Sequence, residues 1–463
     1  VERIHFIGIG GTGMGPLAKV FVEKGFQVSG SDLQNSETTE LLRSLGATIH
    51  YGHRPENING CDSVVYSSAI PEDNPEMLAA KAQCLNIYHR SEVWADVMNS
   101  ARGVAVGGAH GKTTVTSMIS WILEENAWDP TVLIGARFAP FGPGAKFGKG
   151  QVVVAEADES DRSFLRYRPE VSVVTSIEAD HLENYNGAFS ELVQGYRSFL
   201  GNVGGQGLAV LGFDDPVARR LARELAGNWQ GYGFDPGAYW RGEIVSLREG
   251  TVKFNVYKEG RAFGSFSLQV PGRHNVSNAL AAAAVCHHFG LTPEQIRKPL
   301  ASFCGAQRRF QILGESGDVL VVDDYAHHPT EIAATLKAAS EGWKRRIVAV
   351  FQPQRYSRTQ LLFDEFVDCF SQADLVFLTD IYSPPPERPI EGISSAIMAE
   401  RMQHAGTAVH WIGEQSNVVA QLMPHLQPGD LVITMGAGPI WKSAHELLAQ
   451  LHARRAPSAG APE

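Results

Sequence analysis

The stretch GVAVGGAHGKTTVTSMIS, Gly103 to Ser120, joins residue types that handle phosphate. An apolar run ends in two glycines, and Gly111-Lys112-Thr113-Thr114 then opens a helical pattern. In Gly108-Ala109-His110-Gly111-Lys112-Thr113, backbone N–H groups can aim at phosphate oxygens. Lys112 can reach the β- and γ-phosphates of a nucleotide, and the Thr113 hydroxyl can ligate Mg2+. The loop is shorter than a strict Walker A, because Val106 stands at its first glycine. The competing reading is a glycine-lysine turn without a ligand. The strand before it and the helix after it weigh against that reading.

A second glycine pattern, Gly8-x-Gly10-x-x-Gly13 with Gly11 and Thr12 inside it, also lies between a strand and a helix. Such glycines let a backbone approach a diphosphate at a helix N-terminus. Asp32 closes the next strand, where a ribose contact is expected. A tight turn without a ligand and a nucleotide diphosphate other than a redox cofactor remain open at this point.

Acidic groups follow two further strands. QVVVAEADESD carries Glu156, Asp158, Glu159 and Asp161, and VSVVTSIEADHLE carries Glu178, Asp180 and His181. In a parallel sheet all strands end on one edge, so these groups are expected beside the Lys112 loop. Mg2+ takes carboxylates together with phosphate oxygens. Helix capping explains some of them equally well. Later, VVDDYAHHPTEI (Asp323, Asp324, Tyr325, His327, His328) and FQPQRYSRT (Arg355, Arg358) again follow apolar runs. Two arginines three apart can face one anion if a helix begins there.

The elements that must position these groups are alternating strands and helices, the pattern of parallel sheets. The fold class expected is α/β in three domains. A Rossmann-like domain spans 1–100, a P-loop ATPase-like parallel sheet spans 101–305, and a Rossmann-like α/β domain spans 306–463. Trp229 to Val270 reads as a small antiparallel addition, and an alanine-rich helix follows at Val276 to Phe289. A net charge of −10 without a dense basic block argues against nucleic acid. No apolar run is long enough to cross a membrane, and no signal peptide is read at the start. Five scattered cysteines without a Cys-x-x-Cys fit a reducing, cytoplasmic compartment. The tail Ala453 to Glu463 reads as low-complexity and disordered.

HFIGIGGTGMG, SSAIPEDNPE, EADESDRSFL, EADHLE, VPGRHNVSNALAA, DDYAHHPTEI and FQPQRYSRT, taken with the loop, resemble the Mur ligase family, in order from Arg3 to Leu448. The resemblance is to the branch that adds L-alanine to UDP-N-acetylmuramate in peptidoglycan synthesis. It implies a UDP-sugar on the first block, held by Gly8, Gly10, Gly11, Thr12, Gly13, Asp32, Ser67 and Ser68. ATP would lie on Gly108 to Thr114, with His274, Asn275 and Asn278 near the adenine and Arg309 and Asp324 near the phosphates and ribose. Thr113, Glu156 and His181 would hold Mg2+, with Mn2+ as a substitute. Tyr325, His327, Arg355 and Arg358 would line the amino-acid and acyl-phosphate site, with His327 a candidate base. Lys112, His327, Arg355 and Arg358 would carry the chemistry. The partners implied are UDP-N-acetylmuramate, L-alanine and ATP, on a monomer or homodimer.

Departures from the family pattern stand at Ala109, Arg162, Ser176, Glu183, Ala326, Gln354 and Pro439. Arg162 and Ser176 are expected beside the sugar. No lysine occurs between Lys149 and Lys253, so the carbamylated lysine of some members is absent. The rival readings are a peptide-adding ligase on the same sugar, an NAD(P)-dependent oxidoreductase resting on the first glycine turn, and a degenerate nucleotide-binding protein.

Overall fold

A computed structural model describes residues 2–384 and 387–455. The expected disordered tail therefore lies, from 456 onward, outside the described residues. By compactness the chain divides into two units. One runs up to Glu243 and adds Phe254–Phe266 and Val276–Ala306; the other comprises Ile244–Lys253, Ser267–Asn275 and the chain from Gln307 onward.

The first unit contains a five-stranded sheet built from β1 (Arg3–Ile7), β2 (Gln27–Asp32), β3 (Thr48–Tyr51), β4 (Ser63–Tyr66) and β5 (Asn86–His89). Its order is β3-β2-β1-β4-β5, with every pairing parallel. After β1 the chain turns at Gly8, whose φ is +74°, and enters the helix Met14–Glu23. That helix buries Leu17, Ala18, Val20 and Phe21. β3 and β5 escape an apolar-run reading because they are half-exposed edge strands.

A ten-stranded sheet follows. Its strands are β6 (Arg102–Gly107), β7 (Thr131–Phe138), β8 (Gly142–Lys146), β9 (Val152–Glu156), β10 (Val171–Val174), β11 (Leu208–Gly212), β12 (Trp229–Gly233), β13 (Trp240–Arg248), β14 (Thr251–Lys258) and β15 (Arg261–Leu268). Their order is β15-β14-β13-β12-β11-β10-β6-β9-β7-β8. The run β12-β11-β10-β6-β9-β7 is parallel. The antiparallel addition begins later than expected at Trp229, because β12 pairs in parallel with both β11 and β13. Two-residue turns at Glu249-Gly250 and Glu259-Gly260, all four residues with positive φ, then fold β13, β14 and β15 into hairpins. The helix Lys112–Glu125 buries Val115, Met118, Ile119, Ile122 and Leu123, so it is held on several sides. A single apolar cluster joins the two sheets of this unit, from Phe6 and Leu17 through Trp94 and Met98 to Phe164 and Phe199.

The second unit holds β16 (Gln311–Ser316), β17 (Val319–Asp324), β18 (Arg346–Phe351), β19 (Leu375–Thr379), β20 (Val409–Gly413) and β21 (Asp430–Met435). Their order is β16-β17-β21-β18-β19-β20, with only β16 antiparallel to its neighbour. Along β17, Leu320 and Val322 enter one apolar cluster while Val319 and Val321 enter another. Alternate side chains point to opposite faces, so this sheet is covered on both.

Close packing behind the first glycine turn generates a test. A Cβ on Gly30 would lie 2.5 Å from Ile9 Cδ1 and 2.8 Å from the Phe6 carbonyl oxygen. Gly30→Val should therefore cost about 1–3 kcal/mol. It should appear as a lower urea midpoint with an unchanged slope. An unchanged midpoint would show that the turn has room to spare.

Candidate active site

β6 pairs with β10 on one side and β9 on the other, both in parallel. The Lys112 loop therefore leaves the sheet between the ends of the two strands that precede the acidic clusters. Gly108 has φ +123°, and a Cβ there would stand 2.1 Å from Thr175 Oγ1. Gly111 has φ +82°, and a Cβ there would stand 2.7 Å from Asn278 Oδ1. Both positions demand glycine on conformation and on space. The loop is further fixed by Ser176, whose carbonyl accepts from Ala109 N–H (2.9 Å) and whose hydroxyl accepts from His110 N–H (3.3 Å). Ser176 thus borders the Lys112 loop. Arg162 lies over the Tyr185 ring.

The helix opens at Lys112. The first turn of any helix presents N–H groups with no intrahelical acceptor. Lys112 Nζ donates to the Gly108 carbonyl (2.5 Å) and to both oxygens of Glu159 (2.8 and 3.1 Å). Burial works against its charge, but Glu159, with Asp158 and Glu156, outweighs burial and raises its pKa. Burial likewise opposes the Asp158 charge, and Lys112 leads the groups that hold its pKa down. Thr113 is buried at the helix start, with Thr114 beside it. Glu156 ends β9 and accepts from Gly135 N–H at 2.6 Å. His181 follows β10 with φ +54°, and its ring nitrogens lie 3.6 Å from Asp180 and from Glu183. His110 Nε2 sits 3.1 Å from Glu178. Thr113 sits at the start of the helix after β6, Glu156 ends β9 and His181 follows β10, so a hydroxyl, a carboxylate and an imidazole follow three neighbouring strands.

At the first glycine turn, Asp32 is held by backbone donors. Its Oδ2 accepts from Gly10 N–H (2.8 Å), and its Oδ1 accepts from Leu33 N–H (2.8 Å). Its carboxylate therefore braces the turn. A Cβ on Gly10 would fall 2.9 Å from Asp32 Oδ2. A Cβ on Gly13 would fall 2.5 Å from Arg90 Nη1. Gly11 donates to the Gly8 carbonyl, and Thr12 lies between them and Gly13. Arg90, which no local pattern signals, therefore stands against this turn and pairs with Asp161 at 3.2 Å. Ser67 accepts from Ile70 N–H through its carbonyl, and Ser68 Oγ lies 3.0 Å from His89 Nε2.

In the second unit, Tyr325 lies under two guanidinium groups, those of Arg308 and Arg309. Arg308 is anchored by Asp323 at 2.8 Å. Glu331 organises the rest. It faces Arg309 Nη1 at 3.8 Å and His327 Nδ1 at 3.3 Å, and accepts from His327 N–H at 3.0 Å. Its only local signal is its place at the third position of the helix that follows His328, a capping box. Burial, aided by Arg358, lowers the His327 pKa to about 4 against the pull of Glu331. Burial also lowers His274 to about 4, again opposed by Glu331. Asn275 donates to the Pro271 carbonyl at 2.6 Å. His274 and Asn275 belong to the second unit and Asn278 to the first, where it faces Gly111. Arg355 is exposed and caps the helix Tyr356–Leu361 from outside, whereas Arg358 is buried within its first turn. Gln354 Oε1 accepts from Arg358 at 3.4 Å.

Asp324 accepts from Phe310 N–H and Ala326 N–H, each at 2.7 Å. Burial still pushes its carboxyl up to about 6, outweighing Arg309. The unfolded chain then releases this proton first as pH rises from about 4 to 6. The group should cost stability across that window, on the order of 3 kcal/mol in all. Urea unfolding at pH 4 and pH 7 should show a smaller pH-linked loss for Asp324→Asn than for wild type. Parallel pH profiles would mean that the carboxyl ionises normally.

Three segments match the Mur ligase family: residues 3–102 its catalytic domain, 106–286 its middle domain and 308–438 its glutamate ligase domain. A UDP-N-acetylmuramate--L-alanine ligase of Symbiobacterium thermophilum is 48% identical over 461 residues, 98% of this chain and 95% of its own. One from Syntrophotalea carbinolica is 44% identical over 455 residues, 98% and 99% of the two chains. Among solved structures, the UDP-N-acetylmuramate-alanine ligase MurC of Thermotoga maritima superposes with a TM-score of 0.83 at 28% identity. That match covers 98% of this chain and all of the other. The chain belongs to the Mur ligase family.

Proposed function

We propose that the protein joins L-alanine to the lactyl carboxylate of UDP-N-acetylmuramate at the expense of ATP, in peptidoglycan precursor synthesis. The observation that carries this reading is the Lys112 loop between β9 and β10, in a chain with a separate glycine turn after β1. The similarity to L-alanine ligases over nearly the whole chain supports the same substrates. The oxidoreductase reading leaves the Lys112 loop without a purpose.

In this reading, residues 1–100 hold the UDP-sugar, 101–305 hold ATP and 306–463 receive the amino acid. The lactyl carboxylate attacks the γ-phosphorus and ADP leaves, giving an acyl phosphate. The L-alanine amine then attacks the acyl carbon, phosphate leaves and the amide forms. Lys112 neutralises charge that builds on the β- and γ-oxygens. Thr113, Glu156 and His181 would hold Mg2+, which supplies further charge neutralisation at the phosphates. Arg355 and Arg358 meet the L-alanine carboxylate, and Tyr325 lines the same site. Arg309 and Asp324 serve the ATP phosphates and ribose, with His274, Asn275 and Asn278 toward the adenine. His327 takes the amine proton. Its Nδ1 lies 3.0 Å from the Tyr325 carbonyl, so Nδ1 carries the hydrogen and Nε2 is left to accept. Among the described residues no helix is long and apolar enough to cross a membrane, and the five cysteines are free. The free thiols support a reducing, cytoplasmic compartment.

Purified protein should release ADP and phosphate from MgATP only when UDP-N-acetylmuramate and L-alanine are both present. Release that proceeds without either one, or that prefers a peptide to L-alanine, would overturn the assignment. Lys112→Ala should lower turnover by two or more orders of magnitude, on the order of 3 kcal/mol in the barrier. Calorimetry should find its UDP-sugar affinity within a few-fold of wild type. If the sugar nucleotide were lost too, one shared pocket would have to replace the two proposed here. Glu156→Ala and His181→Ala should each raise the Mg2+ concentration needed for half-maximal rate by tenfold or more. Unchanged Mg2+ dependence would reduce the residue concerned to a loop anchor.

A further inference from the structure

Arg355 adopts φ +66° and ψ +131°, a conformation that a residue with a Cβ rarely takes. Such a backbone persists only where its surroundings over-determine it. Here they do so from both sides. Arg355 N–H donates to the Tyr382 carbonyl at 3.0 Å, and Gln354 forms a parallel bridge with Tyr382. The Arg355 carbonyl accepts from Thr359 N–H (3.1 Å) and from its hydroxyl (2.8 Å).

The turn between the two arginines is closed by one carboxylate. Glu387 accepts from Tyr356 N–H at 3.0 Å, Ser357 N–H at 3.1 Å, the Ser357 hydroxyl at 2.5 Å and the Ser383 hydroxyl. Four donors on one carboxylate use nearly all of its acceptor capacity. They belong to residues 356 and 357, flanked by Arg355 and Arg358, and to Ser383, which follows the Tyr382 bridge. Burial opposes the charge, yet these bonds hold the Glu387 pKa down at about 2, so the acceptor stays ionised throughout the neutral range.

We propose that Glu387 is a positioning residue for amino-acid binding: by clamping Tyr356, Ser357 and Ser383 it presets the strained Arg355 turn and the Arg355–Arg358 pair that meet the L-alanine carboxylate. This rests on the reading that those arginines receive L-alanine. A preset pair loses less conformational entropy when the substrate arrives. Glutamine cannot replace the carboxylate, because it offers one acceptor oxygen and turns an NH2 toward groups that are themselves donors.

The test measures ADP release while each substrate is varied in turn, with Glu387→Gln, Glu387→Ala, Ser357→Ala and Arg358→Ala beside wild type. Both Glu387 variants should raise KM for L-alanine at least tenfold, with KM for ATP and for UDP-N-acetylmuramate within threefold of wild type. Ser357→Ala removes one of four donors and should raise KM for L-alanine two- to threefold; it keeps the test open if the Glu387 variants do not fold. Amide hydrogen exchange at Tyr356 and Ser357 should quicken in Glu387→Gln while the strands β18 and β21 stay protected. If Arg358→Ala raises KM for L-alanine but the Glu387 and Ser357 variants do not, the positioning role is wrong and the amino-acid site stands. If the Glu387 variants shift all three KM values alike, or only the melting temperature, Glu387 is a stabilising contact and the proposal fails. If Arg358→Ala leaves KM for L-alanine unchanged, the amino-acid site lies elsewhere and the proposal falls with it.

Discussion

Parallel pairing of β6 with both β9 and β10 is the constraint from which the proposed nucleotide site follows. The register sets Val106 opposite Glu156 and Gly107 opposite Val174. The three chains therefore leave the sheet within one residue of one another. A loop emerging there has neighbours on both sides, and Thr175 comes so close that residue 108 has no room for a side chain. The glycine is thus required by the end of β10 before any phosphate is considered. The same proximity lets Ser176 hold two loop amides and leaves His181 only a few residues further along.

Within that frame Lys112 is governed by Glu159. Their charges are largely withdrawn from water, with side-chain exposures of 19% and 6%. A buried pair of this kind yields little net stability, but removing one partner leaves an uncompensated charge, at a cost of about 3–5 kcal/mol. Glu159 keeps the ammonium charged and aimed along the loop, and Tyr185 in turn donates to the Glu159 carbonyl at 2.7 Å. Of the carboxylates after β9, Glu159 fixes Lys112 and Asp161 pairs with Arg90. Glu156, at the strand's last position, accepts from Gly135 N–H, and Asp158 accepts from Ser160 N–H.

The legible parts of the sequence were those whose partners lie within a few residues. The Gly111-Lys112-Thr113 turn, the Gly8 turn and the buried strands β6, β9, β17, β18 and β21 carry their signal locally. Edge strands β3, β5, β16 and β20 do not, because half-exposed edges mix polar and apolar residues without a run. Asp32 was legible as a strand-end acid, yet its hydrogen bond to Gly10, 22 residues away, depends on β1 and β2 lying side by side. The contacts of Ser176 with the Lys112 loop were hidden for the same reason: they depend on β10 lying beside β6, which a single chain of letters does not state. Arg90 and Glu387 are exposed-looking charges in ordinary contexts. Their contacts come from residues 71 and 31 positions distant, Asp161 and Tyr356 respectively.

The electrostatics of the second unit link two demands that look separate. An L-alanine carboxylate calls for arginines, and deprotonating its ammonium calls for a neutral base nearby. Burial is the larger cause of the low His327 pKa, but Arg358 and Arg309 push in the same direction. Arg358, proposed to meet the substrate's carboxylate, thus also helps keep His327 uncharged at neutral pH. Glu331 works the other way, favouring the charged imidazole, and the balance rests at about 4. A base so poised is neutral but weak toward an alanine ammonium, whose own pKa must fall for the transfer to proceed. Nearby guanidinium charges favour that fall, because they destabilise the ammonium as they destabilise the imidazolium. In the proposed reading, Arg358 would thus meet the carboxylate, help keep His327 neutral and ease loss of the amine proton. The negative charge of Glu331 limits how far the guanidinium charges push.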